Sequence, residues 1–195
     1  MHIQANTLKT ALIILAQGAE EMETVITVDM LRRGGIKVVM AGLDGSIPVQ
    51  CSRQITLVPD KSLEQALDEQ KYYDAVILPG ALEGSERLSK SEAVGKLLKE
   101  HEEAGRIIAA ICAAPIAFVA HGVAKGKRLT SYPSTKDKFP EGYHYVEGQR
   151  VVVDDNVVTS RGPGTAYWFG LKLIELLIST EKSEEVEKAM IMSLY

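Results

Sequence analysis

The sequence has few cysteines and no long hydrophobic run, and each shortage excludes a class of protein. Only Cys51 and Cys112 are cysteines among 195 residues. Two are too few for a disulfide framework, so we expect a reducing, intracellular compartment. The longest uncharged apolar run, residues 107–120, is shorter than the ~18 residues that a membrane-spanning helix needs, and Pro115 interrupts it. We therefore expect no membrane span, and the N-terminus does not read as a secretory signal.

The sequence also lacks an excess of charge of one sign. A net charge of −4 offers no electrostatic reason to expect nucleic acid as a partner, and no patch combines aromatic with basic residues. The histidines are scattered without metal-ligand spacing, so we expect neither a metal nor another cofactor. Because no repeat or linker interrupts the chain, we expect a single domain over residues 1–195, with residues 1–7 as a flexible N-terminal extension.

What the sequence does contain is an alternation of apolar strands with helical segments. In the first helical segment, residues 22–35, Met22, Val25, Ile26 and Met30 recur at helical spacing. The pattern predicts strands at residues 10–16, 36–45, 73–80, 106–111, 128–133, 143–146, 150–153 and 156–160, and further helices at 62–70, 91–105, 113–122, 166–178 and 183–192. Near-continuous apolar strands separated by helices indicate an α/β fold, with a mainly parallel sheet and helices on both faces.

In such folds the functional crevice lies outside the carboxyl ends of the strands. Three loops should therefore meet there: residues 17–21 after the first strand, residues 79–84 after a later strand, and the corner at Cys112. We expect any functional group to be found where these loops come together.

The corner at Cys112 has the composition of a tight strand-to-helix turn. Small residues surround the cysteine at Ala110, Ala113 and Ala114, as a crowded nucleophile-bearing turn requires, and Pro115 suits the first turn of a helix. A thiol held at a helix N-terminus would have a lowered pKa and be reactive. The alternative is a buried, inert core cysteine, which is the usual state of a free cysteine.

A reactive thiol usually needs a second group, and the loop after the first strand offers carboxylates at Glu20, Glu21 and Glu23. One of them, held protonated, could donate a hydrogen bond to a thiolate, and the two groups would titrate as a coupled pair. The spacing does not say which of the three does this, and carboxylates in a first helical turn are commonly only dipole partners. We interpret Cys51, which has no such corner, as structural.

Several segments of the chain occur together, in this order, in a known family: ALIILAQGAEEMETVITVDMLRRGGIKV, VQCSR, VILPG, IAAICAAPIA, LTSYPS and TSRGPGTA. Through them the chain resembles the DJ-1/PfpI superfamily, in its Parkinsonism-associated, redox-sensitive branch, from about Leu8 to the C-terminus. The resemblance implies a flavodoxin-like sandwich that forms a homodimer.

The resemblance also implies roles for individual residues. Cys112 would be the functional thiol and Glu23 its protonated carboxyl partner. The backbone amides of Ala81 and Ala113 would form an anion or oxyanion site facing the cysteine. Supporting residues near the site or the dimer contact would be Gly80, Arg53 and Arg33.

The function implied by the resemblance is that of an oxidative-stress sensor and protective protein. Its oxidisable, low-pKa cysteine would also act as a cofactor-free glyoxalase or deglycase on methylglyoxal-type dicarbonyls and their adducts. The alternative is a redox-regulated chaperone or partner-binding protein without significant turnover. The implied location is the cytoplasm, with the mitochondrion and nucleus as further compartments.

Three positions depart from the family pattern. Ala113 follows the cysteine where the protease-like branch has histidine, so we do not expect proteolysis. Tyr132 stands where some relatives carry histidine, which puts a mechanism with that imidazole as a base in doubt. Ala81 replaces a second glycine, and an alanine there demands an unstrained backbone while leaving the amide in place.

Overall fold

The computed structural model describes residues 8–192. Its central sheet is built from continuous apolar strands, whose side chains point alternately to the two faces of the sheet. In the first strand, Ala11 and Ile13 belong to one buried core cluster, and Leu12 and Ile14 belong to another. Successive side chains of a strand point to opposite faces of the sheet. A continuous apolar strand therefore requires cover on both faces.

The strands of the described residues form one large sheet and two short pairs. The large sheet contains β1 (Thr10–Leu15), β2 (Lys37–Gly42), β5 (Lys61–Ser62), β6 (Ala75–Leu78), β7 (Ile107–Ile111), β10 (Val151–Asp154) and β11 (Val157–Ser160). The short pairs join β3 (Val49–Gln50) to β4 (Thr56–Leu57), and β8 (Arg128–Leu129) to β9 (His144–Tyr145). The order in the large sheet is β10-β11-β7-β6-β1-β2-β5, and every neighbouring pair is parallel except β10 with β11.

Helices cover both faces of this sheet. They are α1 (Glu21–Arg33), α2 (Leu63–Glu69), α3 (Leu82–Lys90), α4 (Glu92–Glu103), α5 (Ile116–His121), α6 (Ala166–Leu177) and α7 (Thr180–Ala189), with short 3₁₀ helices at Pro133–Lys138 and Pro163–Thr165. Buried residues of α1, α6 and α7 fill one core cluster, and those of α2, α3, α4 and α5 fill the other. The predicted α/β fold, a mainly parallel sheet with helices on both faces, is confirmed.

The structure differs from the predicted elements at α1, α3 and β8, and it also contains the short strands β3, β4 and β5, which the sequence does not predict. Met22 and Val25 of α1 are 51% and 48% exposed, so they lie outside the buried face of that helix. Helix α3 begins inside the loop predicted at residues 79–84, and the strand predicted at 128–133 is limited to two residues. The predicted extension at residues 1–7 lies outside the described residues.

The strand order places a crevice at the carboxyl ends of β1 and β6. From β1 the chain runs to β2 on one side and later returns to β6 on the other, which makes this a topological switch point. The loops after β1, β6 and β7 meet at this edge. No helix in residues 8–192 has the length and apolar content that crossing a membrane requires.

Candidate active site

Cys112 is held in an unusual backbone conformation directly after β7. Its φ is +65°, which is uncommon for a residue with a side chain. The Cys112 N–H donates to the Ser160 carbonyl (3.0 Å), and the Cys112 carbonyl accepts from the Tyr132 N–H (2.7 Å). These two hydrogen bonds fix the turn. The Cys112 residue is 8% exposed to solvent.

Gly80, after β6, lets this turn approach α1 closely. A Cβ atom at Gly80 would lie 2.5 Å from the Cys112 Cβ and 2.8 Å from Glu23 Oε2. The Gly80 N–H donates to Glu23 Oε2 at 2.8 Å. Only glycine fits at this position. Because it has no Cβ atom, the ends of β6, β7 and α1 can lie close together.

Glu23 is fully buried beside the Cys112 sulfur, within hydrogen-bonding reach of it. Burial raises the pKa of Glu23 to about 7, although the hydrogen bonds from Gly80 and Cys112 oppose the rise. Among the described residues, its second oxygen, Oε1, has no hydrogen-bond partner. An ionised carboxylate would leave that oxygen without compensation, so the surroundings favour the protonated acid.

The surroundings of Cys112 correct the expectation of a lowered thiol pKa. Burial, and next the negative charge of Glu23, raise the pKa of Cys112 to about 12, so the expectation is wrong for a thiol beside an ionised Glu23. The backbone N–H groups of Ala81 and Ala113 act in the opposite direction and favour the thiolate. Because the charge of Glu23 raises the pKa of Cys112, and a hydrogen bond from Cys112 lowers the pKa of Glu23, the two groups titrate as one coupled pair.

Ala81 is strained, which corrects a second expectation. Its backbone has φ +68° and ψ 153°, a region that is essentially restricted to glycine. The Glu20 N–H donates to the Gly80 carbonyl at 3.1 Å, which orients the peptide unit carrying the Ala81 N–H. The strained backbone at Ala81 therefore occurs together with an orientation in which the Ala81 N–H points at the Cys112 sulfur.

The structure shows which of the three carboxylates near the crevice faces the thiol, a choice that the sequence spacing does not make. The Ser52 hydroxyl contacts Glu20 Oε2 (2.8 Å) and Glu21 Oε2 (3.0 Å), and the Arg53 N–H donates to Glu21 Oε1 (2.8 Å). Burial alone would raise the pKa of Glu21, but these hydrogen bonds lower it below its usual value. Glu20 and Glu21 hold the 51–53 loop, and Glu23 is the one that faces the thiol.

A cavity of about 780 Å³ opens beside Cys112. The predicted residues Arg53, Ala81 and Ala113 line it, and so does Tyr132. Sequence reasoning assigned no role to the other lining side chains, although some of them lie inside the segments shared with the family: Gln17, Gln50, Gln54, Leu82, Glu83, Ser134 and Pro163.

Arg33 and Cys51 occupy different positions from the reactive pair. Arg33, predicted near the site or the dimer contact, does not line the cavity, so of the two alternatives only the dimer contact stays a prediction; its Nε donates to Asp29 Oδ2 at 2.7 Å, at the opposite end of α1 from Glu23. Cys51 lies in the cavity wall and is 4% exposed, and burial raises its pKa to about 11. Residues 8–192 contain no cluster of three or more His, Cys, Asp or Glu side chains arranged to hold a metal ion.

Comparison with known proteins gives a consistent set of relatives. The family model described as the DJ-1/PfpI family matches residues 9–176. Protein dj-1beta of Drosophila melanogaster is 52% identical over 95% of this chain and 98% of its own length, and its crystal structure aligns with a TM-score of 0.91 over 94% of this chain and 98% of that one. The Parkinson disease protein 7 homolog of Danio rerio is 51% identical over 94% of this chain and 97% of its own. Glutathione-independent glyoxalase DJR-1.2 of Caenorhabditis elegans is 40% identical over 93% and 96%.

Proposed function

The chain belongs to the DJ-1/PfpI family, as the resemblance predicted, and from this premise we propose that Cys112 is a reactive thiol that protects against dicarbonyl and oxidative stress. The observation that carries the proposal is the buried Glu23 carboxyl group beside the Cys112 sulfur. A relative named as a glutathione-independent glyoxalase supports the enzymatic part.

The reactive state is a thiolate beside a protonated carboxyl group. Burial raises the pKa of both groups, to about 7 for Glu23 and to about 12 for Cys112, and because the two titrate as a unit we infer that the pair loses its first proton near the lower of these values. The charge settles on the sulfur because the Ala81 and Ala113 amides face it, whereas Glu23 Oε1 has no donor among the described residues. The remaining proton stays on Glu23 and forms a hydrogen bond to the sulfur.

The glyoxalase reaction uses this state directly. The thiolate forms a bond to the aldehyde carbon of methylglyoxal, and the carbonyl electron pair moves to oxygen, which takes the proton of Glu23. The Ala81 and Ala113 amides stabilise the developing oxyanion. Glu23, now ionised, takes the hydrogen of the former aldehyde carbon as a proton, which gives an enediolate. It returns this proton to the neighbouring carbon while the hydroxyl proton of the former aldehyde oxygen moves to the ketone oxygen, and a thioester remains. Water hydrolyses the thioester to lactate and releases the thiol.

The sensor reaction uses the same sulfur. The thiolate attacks a peroxide oxygen and becomes a sulfenic acid while the second peroxide oxygen leaves as water or an alcohol; a second equivalent gives the sulfinic acid. The Glu23 hydroxyl and the two amides then hold the sulfinate and slow further oxidation. Oxidation and turnover would therefore compete for one group.

Replacing Cys112 by serine tests both reactions. We expect lactate formation from methylglyoxal to fall to the buffer background in Cys112→Ser, whereas Cys51→Ser retains it. Mild peroxide should add the mass of two oxygens to the wild-type peptide that contains Cys112. Full methylglyoxal consumption by Cys112→Ser would end the enzymatic proposal, and an unmodified peptide would end the sensor proposal.

Exposed apolar side chains favour a second candidate, a redox-regulated chaperone or partner-binding protein. Ile55 and Val58 are 53% and 62% exposed. Holdase activity that persists in Glu23→Gln together with an absence of dicarbonyl turnover in wild type would favour this candidate. The homodimer, the cytoplasmic, mitochondrial or nuclear location and the absence of peptidase activity remain predictions.

A further inference from the structure

Helix α1 buries two threonines whose hydroxyl groups differ in their hydrogen bonding. Thr24 and Thr27 are both almost fully buried. The Thr24 hydroxyl donates to the Glu20 carbonyl at 2.9 Å, which is a common arrangement for a threonine inside a helix. The Thr27 hydroxyl forms no hydrogen bond to any of residues 8–192. A buried hydroxyl without a partner costs free energy, so the position of Thr27 needs a physical explanation.

The helix that packs against α1 offers the Thr27 hydroxyl no side-chain partner. Helix α6 approaches α1 closely, since a Cβ atom at Gly170 would lie 2.8 Å from the Met30 Cβ. None of the buried residues of α6 has a polar side-chain group; they are Ala166, Phe169, Gly170, Leu171, Leu173, Ile174 and Leu177. On this side, a polar side chain near Thr27 has to come from α1 itself.

Glu23 provides that side chain, one helical turn before Thr27. Residues four apart in a helix lie one above the other on the same face, so the two side chains are neighbours on the buried face of α1. Glu23 Oε1 is also buried and also has no hydrogen-bond partner within the described part of the chain. Glu23 Oε2, in contrast, accepts the Gly80 N–H at 2.8 Å. Two unpartnered oxygens therefore lie one turn apart on one face of the helix.

A single water molecule fits the chemistry of this pair. The two oxygens form no direct hydrogen bond, and buried water typically joins polar groups that would otherwise have no partner. We propose that one buried water bridges Thr27 Oγ1 and Glu23 Oε1 and that Thr27 is thereby a positioning residue for the Glu23 carboxyl group. The Thr27 hydroxyl donates to the water, and the water donates to Glu23 Oε1.

The bridge acts at the step in which Glu23 loses its proton. In the resting pair, one neutral donor to Glu23 Oε1 is outnumbered by the two amides that face the sulfur, so the charge stays on Cys112. In the glyoxalase reaction Glu23 becomes ionised, and the water then donates to a charged oxygen, which makes the hydrogen bond stronger. This role in catalysis rests on the proposed function, whereas the bridge itself can be tested without turnover.

Thr27→Val tests the positioning role, because it keeps the shape of the side chain and removes the hydroxyl. In a Cys51→Ser background, we expect kcat for methylglyoxal to fall on the order of tenfold, the effect of losing one hydrogen bond to a charged group. The iodoacetamide rate constant at Cys112 should not change, because Glu23 stays protonated during alkylation. Thr27→Ser should retain turnover. Thr24→Val removes an equally buried hydroxyl that is bonded to the Glu20 carbonyl, and it should leave kcat unchanged.

An unchanged kcat in Thr27→Val, or equal losses of turnover and of alkylation in that variant, would overturn the positioning role. A high-resolution crystal structure tests the bridge directly. We expect an ordered water about 2.5–3.0 Å from both Thr27 Oγ1 and Glu23 Oε1, and we expect it to be lost in Thr27→Val. A wild-type structure without this water would overturn the bridge. A bridging water in a protein that does not consume methylglyoxal would support the bridge and reject the glyoxalase.

Discussion

At the scale of single residues, the site depends on two non-glycine residues with positive φ, Cys112 and Ala81. Hydrogen bonds to Ser160 and Tyr132 stabilise the turn at Cys112. Ala81 adopts a conformation that costs about 1–3 kcal/mol for a residue with a Cβ atom. The surrounding fold tolerates this strain, since the Gly80 carbonyl is anchored to α1 through the Glu20 N–H.

Ala81→Gly should therefore stabilise the protein by about 1 kcal/mol, because relief of strain exceeds the loss of ~0.4–1 kcal/mol from the greater freedom of glycine in the unfolded chain. Urea unfolding measures the change. Ala117→Gly, in the regular helix α5, is the matched control and should destabilise by about 1 kcal/mol. A loss of stability in Ala81→Gly comparable to that of the control would show that Ala81 is not strained.

At the scale of secondary-structure elements, the sequence predicts β1, β6 and β7 because their apolar runs are continuous and end at turn residues. It does not predict α3, which starts directly after the strained Ala81, without a side-chain hydrogen bond at its N-cap. It also misjudges α1, where Glu23 and Thr27 are buried while Met22 and Val25 are exposed. Apolar periodicity cannot identify a helix face that buries polar groups for a site.

The candidate site, like the fold, can be predicted from the sequence only in part. The small residues around Cys112 indicate a tight turn, and the spacing brings Glu20, Glu21 and Glu23 to the same crevice. The hydrogen bonds that tie Glu21 to the 51–53 loop depend on tertiary packing and have no local signal. The extent of the single domain over residues 1–195 stays a prediction.

Helix α4 contains a buried histidine whose neutral form is built into the fold. His101 is fully buried; its Nδ1 lies 2.8 Å from the Leu97 carbonyl, and the Tyr73 N–H donates to its Nε2 at 3.3 Å. An Nε2 that accepts a hydrogen bond cannot carry a proton, so Nδ1 must be the donor to Leu97. Burial lowers the pKa of His101 below its usual value of 6.5.

Acid should weaken this contact between α4 and the sheet. Since the folded pKa is lowered, the stabilising contribution is present above pH 6.5 and is lost as the pH falls through the folded pKa. Urea unfolding between pH 4 and 7 should show that wild type loses more stability on acidification than His101→Gln does. His144→Gln, at an exposed position, should follow the wild type. Parallel pH profiles for wild type and His101→Gln would contradict the assignment.

At the scale of the whole molecule, α1 presents an outward face with apolar and charged residues. Met22, Val25, Asp29 and Arg33 follow one another at helical spacing and are all exposed in the single chain. Arg33 therefore lies on this face and away from the cavity. We interpret the face as the contact of the proposed homodimer.

Val25→Glu should weaken that contact, because it introduces a charge into the apolar part of the face. We expect a dimer for wild type and a shift toward monomer for the variant in sedimentation equilibrium. Leu176→Glu is the matched control, since Leu176 of α6 is 42% exposed and does not belong to this face. A wild-type monomer, or an unaltered dimer in Val25→Glu, would exclude α1 as the contact.

The pH dependence of Cys112 alkylation tests the central claim, that one proton is shared between the thiol and Glu23 and leaves the charge on the sulfur. Iodoacetamide rates are measured in a Cys51→Ser background with and without Glu23→Gln. We predict a transition near neutrality with Glu23 present and no faster alkylation at pH 7 in Glu23→Gln, because glutamine replaces one neutral donor by a weaker one. A thiol that stays unreactive until strongly alkaline pH, and that Glu23→Gln accelerates more than tenfold at pH 7, would place the charge on the carboxylate and contradict the account.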